Sequence, residues 1–199
     1  MIGLISNEGL SEVGNKIYYV YQSFFKLGYK ILVIPLNDYQ EIIADINKCN
    51  GIIMQGGDEY TKLHLDIIKY LYDNDIPLLA ICMSMQAMGV LFNGKLDSID
   101  NHYSKDRYSH MVYIKKNTLL YDILGVSKIM VNSNHKESVK YTDLSISGYS
   151  DCIEAIEDKS KRFFLGLQWH PEKMIEYDTL ERKIFDYFKE VCDGVKRIN

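Results

Sequence analysis

The apolar residues in the first half of the chain form short continuous runs that alternate with stretches of helical spacing. Such runs are typical of strands covered on both faces, and recurrence every three to four residues is typical of helices. The strands predicted in this half are 2–5, 31–34, 51–54 and 77–81. The predicted helices are 13–27, one that begins near Thr61, and 83–92. This alternation predicts a parallel sheet with helices on both faces.

The second half of the chain is richer in strand patterns and ends in a helix. The predicted strands are 111–114, 129–132, 144–147, 152–156 and 163–168, and the final helix covers 180–191. No repeat, low-complexity tract or Pro/Gly/Ser-rich linker divides the sequence. We therefore expect residues 1–199 to form one domain, which is an ordinary length for one.

Composition and charge exclude several classes of protein. The formal net charge is -4, and no Lys/Arg run predicts binding to nucleic acid or to a membrane surface. No apolar stretch is long enough to cross a bilayer, and residues 1–6 lack the features of a signal peptide. We expect a cytoplasmic protein. The four cysteines are widely spaced without a C-x-x-C pair, so a disulfide framework is not expected.

Cys82 lies where the predicted strand 77–81 meets the next helix. A sharp strand-to-helix turn lifts a nucleophile clear of the sheet and requires small residues two positions before and after it. Ala80 and Ser84 meet that requirement. The first N–H groups of the helix would lower the pKa of the thiol and stabilise a developing oxyanion. The alternative interpretation is an inert core cysteine at the end of a strand.

His170 and Glu172 follow the strand predicted at 163–168. A cysteine nucleophile requires a base and a third group that orients the base. Side chains two residues apart share one face of an extended chain, so Glu172 can reach the ring of His170. An isolated histidine is more often a satisfied core or surface residue, which is the expected role of His64 and His102. No His or Cys pair lies at ligand spacing near His170, so no metal site is predicted.

Gly56 and Gly57 follow the strand predicted at 51–54. Paired glycines allow close backbone approach, and their N–H groups can form part of an oxyanion hole. An ordinary turn would explain them equally well. Because all three segments begin where a predicted strand ends, they are expected at the edge of an open sheet where ligands bind.

Five segments resemble class I glutamine amidotransferases and their gamma-glutamyl hydrolase relatives, which include gamma-glutamyl-gamma-aminobutyrate hydrolases. The most specific match is Leu-Gln-Trp-His-Pro-Glu at 167–172, and 77–86 resembles the nucleophile segment of the family. Val-Asn-Ser-Asn-His at 131–135 is similar to the hydrolase branch, as are 153–156 and 109–112. The matching segments run in the family's order from Gly51 to Glu172 and cover most of the chain.

The resemblance implies a flavodoxin-like fold, with a mostly parallel sheet, helices on both faces and a small antiparallel addition. It implies catalysis through a gamma-glutamyl thioester without a cofactor. The implied catalytic residues are Cys82 as nucleophile, His170 as general acid and base, and Glu172 as its orienting partner. The implied oxyanion donors are the N–H groups of Gly57 and Met83. The implied substrate-binding residues are Gly56, Gln86, Ser133, Asn134 and His135.

This sequence departs from the family pattern in the nucleophile segment and after Asp58. Ala80 and Ser84 replace glycines, Met83 stands where the hydrolase branch often has Arg, and the segment after Asp58 is short. Each added Cβ is worth only about 1 kcal/mol, so a slightly shifted turn is expected rather than a lost one. The short segment predicts a different acceptor side of the pocket.

Three hypotheses for function follow. The first is a free-standing hydrolase that cleaves a small-molecule gamma-glutamyl amide and releases glutamate and an amine. The second is a glutaminase subunit that delivers ammonia to a synthetase partner. The third is a degenerate binding module that has kept the fold without the chemistry. The sequence assigns no oligomeric state.

Overall fold

The computed structural model describes residues 1–6, 27–100 and 102–194. Residues 13–26 of the predicted helix 13–27 lie outside this part of the chain. The strands are β1 (Ile2–Ser6), β2 (Ile31–Pro35), β3 (Gly51–Met54), β4 (Leu78–Ile81), β5 (Lys95–Ser98), β6 (His110–Ile114), β7 (Lys128–Val131), β8 (Glu137–Tyr141), β9 (Ser145–Tyr149), β10 (Ile153–Glu157) and β11 (Phe164–Leu167). The helices are α1 (Tyr39–Ile46), α2 (Lys62–Asp73), α3 (Met83–Leu91), α4 (Leu119–Leu124) and α5 (Thr179–Cys192), with a 3-10 turn at Pro171–Lys173.

The main sheet joins a parallel half to an antiparallel half. Its strand order is β2-β1-β3-β4-β11-β10-β9-β6-β7, and neighbours from β2 to β11 run parallel. The remaining neighbours are antiparallel, and β5 and β8 form a separate two-stranded ribbon. Each predicted strand is present with its ends within two residues of the prediction.

Four elements were absent from the prediction: α1, α4, β5 and β8. The helix α4 is only six residues long, too short to establish a helical period. Strand β5 is largely exposed and carries Lys95 and Asp97, so it lacks the apolar run that marks a buried strand. These elements depend on packing more than on local pattern.

Two apolar layers cover the faces of the sheet, as predicted. The side chains of β4 alternate, with Leu79 and Ile81 in one layer and Leu78 and Ala80 in the other. The first layer also contains residues of α4 and α5, and the second contains residues of α1, α2 and α3. No helix of the described residues is both long and apolar enough to span a bilayer.

Helix α3 is held close to the sheet, which fixes the height of the residue before it. Its residues 83–89 are all buried, because the main sheet lies on one side and the β5–β8 ribbon packs on the other. Gly166 in β11 permits the approach, since a Cβ there would lie 2.8 Å from Met85 Cγ. The start of α3 is therefore positioned by packing along its length.

Candidate active site

The three segments singled out in the sequence meet at one edge of the sheet. Strands β3, β4 and β11 are parallel neighbours, so their carboxyl ends lie side by side. Met54 pairs with Ala80, and Leu167 pairs with Ile81. The segments that follow these strands consequently converge.

Cys82 occupies a strained turn between β4 and α3. Its φ is 52° and its ψ is -111°, a conformation that non-glycine residues rarely adopt and that costs about 1–3 kcal/mol. Its N–H donates to the Leu167 carbonyl at 2.7 Å, and its carbonyl accepts from the Gln86 N–H at 3.0 Å. The thiol thus projects from the sheet edge at the N-terminus of α3, the geometry of a nucleophile elbow.

The two departures from the family's glycines fit this turn. Ala80 is fully buried within β4. Ser84 is also buried, and its hydroxyl donates to the Gln55 carbonyl at 2.7 Å. The serine therefore ties the elbow to the glycine segment, an attachment that glycine could not make.

His170 and Glu172 form a buried pair. The His170 Nδ1 donates to Glu172 Oε1 at 2.7 Å. The contact agrees with the prediction, but the local backbone does not, because Glu172 lies on the 3-10 turn 171–173 rather than on extended chain. With Nδ1 used in this way, the other ring nitrogen is free to serve the Cys82 thiol, with which His170 also hydrogen-bonds.

Charge controls the protonation of this pair. Burial opposes the imidazolium form, but the Glu172 carboxylate and then the Cys82 thiol outweigh it and raise the pKa of His170 to about 9. Burial would likewise raise the pKa of Glu172, but the adjacent His170 holds it below its usual range. A charged His170–Glu172 pair beside the thiol is therefore the favoured state at neutral pH.

Asn132 holds the backbone of His170 from the far end of the sheet. Its Oδ1 accepts from the His170 N–H at 2.9 Å, and its Nδ2 donates to the His170 carbonyl at 2.7 Å. Asn132 follows β7, the strand farthest from β2 in the sheet order. The residue lies inside the Val-Asn-Ser segment, but sequence reasoning assigned it no role.

Two glutamines connect the nucleophile to the antiparallel half of the protein. Gln168 Nε2 lies 3.6 Å from Cys82 Sγ, and Gln168 Oε1 accepts from Gln86 Nε2 at 3.3 Å. Gln86 Nε2 also donates to the Glu137 carbonyl at 2.8 Å. Gln168, which was not singled out, therefore contacts the thiol directly and links it to Gln86.

Gly56 lies against both the nucleophile and its base. A Cβ at this position would be 3.0 Å from His170 Cε1 and 3.1 Å from Cys82 Cβ, so only glycine fits without displacement. Gly57 follows at the surface. Met83 begins α3, where N–H groups have no partner within the helix. Donation by Gly57 and Met83 to an oxyanion stays a prediction.

The predicted substrate-binding segment 133–135 turns mostly inward. Ser133 Oγ donates to the His102 carbonyl at 2.6 Å, and His135 Nε2 lies 3.2 Å from His102 Nδ1. Asn134 is exposed. Contact of these side chains with substrate also stays a prediction.

A second buried carboxyl group lies close to the site. Trp169 Nε1 donates to Glu181 Oε2 at 3.0 Å, and Glu181 is 1 % exposed. Burial raises the pKa of Glu181 to about 8, with Asp178 and Glu172 acting in the same direction against the Trp169 hydrogen bond. The sequence offered no signal for this burial, because a glutamate in the first turn of a helix is ordinarily solvated.

Comparison with known proteins agrees with this geometry. Residues 13–188 match the model of the glutamine amidotransferase class-I family. The chain belongs to the class I glutamine amidotransferase family. Members of this family are generally cysteine hydrolases, and the resemblance noted in the sequence is confirmed at the level of the superfamily.

Relatives within the class I glutamine amidotransferase family include a component of a synthase and a protein named only for its likeness to amidotransferases. The chain is 30% identical over 169 residues to the glutamine-hydrolyzing subunit of GMP synthase from Methanococcus maripaludis (strain C6), covering 82% of this chain and 85% of that protein. It is 24% identical over 213 residues to a glutamine amidotransferase-like protein, YvdE, of Lactococcus lactis, covering 87% and 89% respectively.

Solved structures confirm the predicted fold of this class I glutamine amidotransferase. A structure described as a GMP synthase subunit from Thermoplasma acidophilum has a TM-score of 0.76 at 19% identity, covering 98% of this chain and 94% of that one. The glutaminase domain of Trypanosoma brucei CTPS, with bound acivicin, has a TM-score of 0.76 at 18% identity, covering 97% and 93%. The predicted flavodoxin-like core with its small antiparallel sheet is thus confirmed.

Proposed function

We propose that this protein hydrolyses a gamma-glutamyl amide through a thioester on Cys82. The observation that carries the proposal is the strained elbow at Cys82, which brings the thiol to His170 while His170 is held by Glu172 at 2.7 Å. Strain at a non-glycine residue in this conformation is retained at functional sites because it orients a reactive group. An inert core cysteine requires none of these features.

In the first step, the Cys82 thiolate attacks the amide carbon and the carbonyl oxygen takes up negative charge. The N–H groups of Gly57 and Met83 would stabilise that oxyanion. His170, protonated at neutral pH because its pKa is raised to about 9, gives its proton to the leaving nitrogen. The carbon–nitrogen bond breaks, the amine departs, and the thioester remains.

In the second step, water replaces the amine. His170, now neutral, takes a proton from the water as the oxygen attacks the thioester carbon. The carbon–sulfur bond breaks, glutamate leaves, and the thiolate–imidazolium pair is restored. Glu172 keeps Nδ1 of the ring protonated throughout, so Nε2 is the nitrogen that exchanges protons.

The amine that leaves distinguishes two versions of this function. A free-standing hydrolase, suggested by the Val-Asn-Ser-x-His segment, would release a substituted amine. A glutaminase that supplies ammonia to a synthetase partner is favoured by the 30% identical relative, which is named as a glutamine-hydrolyzing subunit of GMP synthase. The two versions share the chemistry at Cys82 and differ in what occupies the acceptor side.

The chemistry is tested by glutamate release from the purified protein. Cys82→Ala should abolish release from glutamine and from a panel of gamma-glutamyl amines while leaving the circular dichroism spectrum and Tm close to wild type. Glutamate release that survives in Cys82→Ala would refute the proposal. Higher turnover of substituted amides than of glutamine by the isolated chain supports the hydrolase version, and turnover of glutamine alone supports the glutaminase version.

Selective alkylation separates catalysis from the degenerate binding module. Burial raises the pKa of Cys49, Cys152 and Cys192, the last to about 12, so these thiols should react slowly with iodoacetamide at pH 7. Cys82 beside an imidazolium should react first and to one equivalent. Uniformly slow labelling of all four cysteines would favour the non-catalytic hypothesis.

A further inference from the structure

A group of titratable side chains, most of them buried, lies outside the triad in the antiparallel half of the protein. This histidine cluster consists of His102, His110, His135 and Glu154. The first precedes β6, the second begins β6, the third follows β7, and the fourth lies in β10. Three of its members are at most 5 % exposed, and the carboxylate is fully buried.

The ligand atoms of the histidine cluster converge. His110 Nε2 lies 2.7 Å from Glu154 Oε1, and His102 Nδ1 lies 3.6 Å from the same oxygen. His102 Nδ1 is also 3.2 Å from His135 Nε2. Four ligands around one tetrahedral zinc ion lie about 3.3 Å apart, given metal–nitrogen distances near 2.0–2.1 Å. The spacing in the cluster brackets that value.

Hydrogen bonds on the outer side of two rings decide where their protons lie. His135 Nδ1 is 3.0 Å from the Glu137 carbonyl, which can only accept, so Nδ1 carries the proton. His102 Nε2 is 2.7 Å from Asp151 Oδ1, so Nε2 carries the proton there. In the neutral rings, the two inner nitrogens then face each other with lone pairs at 3.2 Å. Such an arrangement requires a positive charge between them.

A divalent ion satisfies the histidine cluster more completely than a proton does. A proton between His102 and His135 leaves Glu154 Oε2 without a hydrogen-bond partner among the described residues, although that oxygen is buried. A metal ion engages both inner nitrogens and the carboxylate, and its two positive charges balance Glu154 and Asp151. Outer hydrogen bonds to a carbonyl and a carboxylate are the usual supports of ligating histidines.

We propose that the histidine cluster binds a divalent transition-metal ion of the Zn²⁺ class. Three imidazole nitrogens with one carboxylate form a ligand set suited to such ions and unsuited to Mg²⁺ or Ca²⁺. A bound ion replaces the proton that His110 Nε2 shares with Glu154, so binding releases protons. The proposal departs from the prediction that the chain has no metal site, which considered only ligand spacing near His170.

The site has a route to solvent and a connection to the nucleophile. Ser150, Asp151 and Cys152 line a surface cavity of about 580 Å³, so solvent reaches the outer partner of His102. On the inner side, the Glu137 carbonyl that supports His135 also accepts from Gln86. A structural ion in the cluster would therefore hold the residues behind the Cys82 pocket in place, whichever substrate the enzyme takes.

The test is zinc binding by the full chain in a Cys82→Ala background, which removes the thiolate as a competing ligand. After treatment with a chelator, calorimetric titration should show one Zn²⁺ per chain with a sub-micromolar Kd, and saturation should raise Tm. Adding His110→Gln to this background should weaken binding at least 100-fold. His64→Gln, which alters a buried histidine in the capping box of α2, should leave the Kd unchanged within twofold.

A spectroscopic measurement does not depend on the folding of any further variant. Co²⁺ added to the chelated Cys82→Ala protein should produce the intense visible absorption of a tetrahedral site, and Zn²⁺ should displace it. No Zn²⁺ binding at micromolar concentration, or equal binding with and without His110→Gln, would overturn the proposal. Absent binding together with imidazole NMR signals of a protonated His102 would show that a proton fills the gap instead.

Discussion

Replacing Glu172 with glutamine separates the charge of the triad's third member from its shape. The substitution keeps a side-chain oxygen able to accept from His170 Nδ1, where the native contact is 2.7 Å. It removes the negative charge that stabilises the imidazolium. Because both residues are buried, solvent screens this charge only weakly.

The magnitude follows from the forces on His170. Its pKa is raised to about 9 although burial, the largest single influence, acts to lower it. Once Glu172 is replaced by a neutral side chain, burial opposes the contribution of Cys82 alone, and we expect the pKa to return to about 6.5, the ordinary value. A fall of this size is worth about 3.4 kcal/mol, or roughly a 300-fold change in the ratio of imidazolium to imidazole.

The assay is the rate of iodoacetamide labelling of Cys82 as a function of pH, measured beside glutamate release. In the wild type, the stable imidazolium should maintain a reactive thiolate through neutral pH. In Glu172→Gln, labelling at pH 7 should slow at least about 30-fold and glutamate release at least about 100-fold. Glu176→Gln, the same chemical change at an exposed position of this segment, should alter neither rate more than twofold.

A wild-type labelling rate and pH profile in Glu172→Gln would refute the reasoning, since Cys82 would then be activated without the charge of Glu172. Loss of glutamate release with unchanged labelling would also count against it. That combination would give Glu172 a role in proton delivery rather than in maintaining the thiolate.

Three further substitutions test the site and its surroundings. Gly56→Ala places a methyl group 3.0 Å from His170 Cε1, so kcat should fall at least about 10-fold with Tm nearly unchanged, and wild-type kinetics would contradict the proposed close approach. Ser84→Ala leaves the Gln55 carbonyl without its 2.7 Å donor and should cost about 1–3 kcal/mol in urea denaturation; no loss would show that water replaces the hydroxyl. Glu181 has a folded pKa of about 8 against an ordinary 4.5, so the native state holds the extra proton and loses stability as pH rises between these values. Glu181→Gln should remove up to about 4 kcal/mol of that loss at pH 8, and an unchanged slope of unfolding free energy against pH would disprove it.

Much of the fold follows from local pattern. The buried strands β1, β3 and β4 are continuous apolar runs, and α5 carries a clear apolar face, so their periods identify them. The ribbon β5–β8 has no such pattern, because its strand β5 is mostly exposed. It forms because helix α3 is apolar on all sides and must be covered where the sheet does not reach it.

The amino-acid sequence by itself determined which residues form the candidate triad and that they follow three strands of one sheet. Cys82, His170 and the glycine pair converge because parallel neighbours end at the same edge, a consequence of strand order that the alternating pattern already indicates. Only the tertiary structure decided what surrounds them. Asn132 reaches His170 from across the sheet, and Glu181 is buried by packing around Trp169.

The same division applies to the histidine cluster. Its four members are spread from position 102 to position 154 with no ligand spacing along the chain, and antiparallel strand pairing is what places their nitrogen and oxygen atoms together. Local pattern records periodicity and turn chemistry over a few residues. Contacts between residues tens of positions apart depend on register and packing, which exist only once the chain has folded.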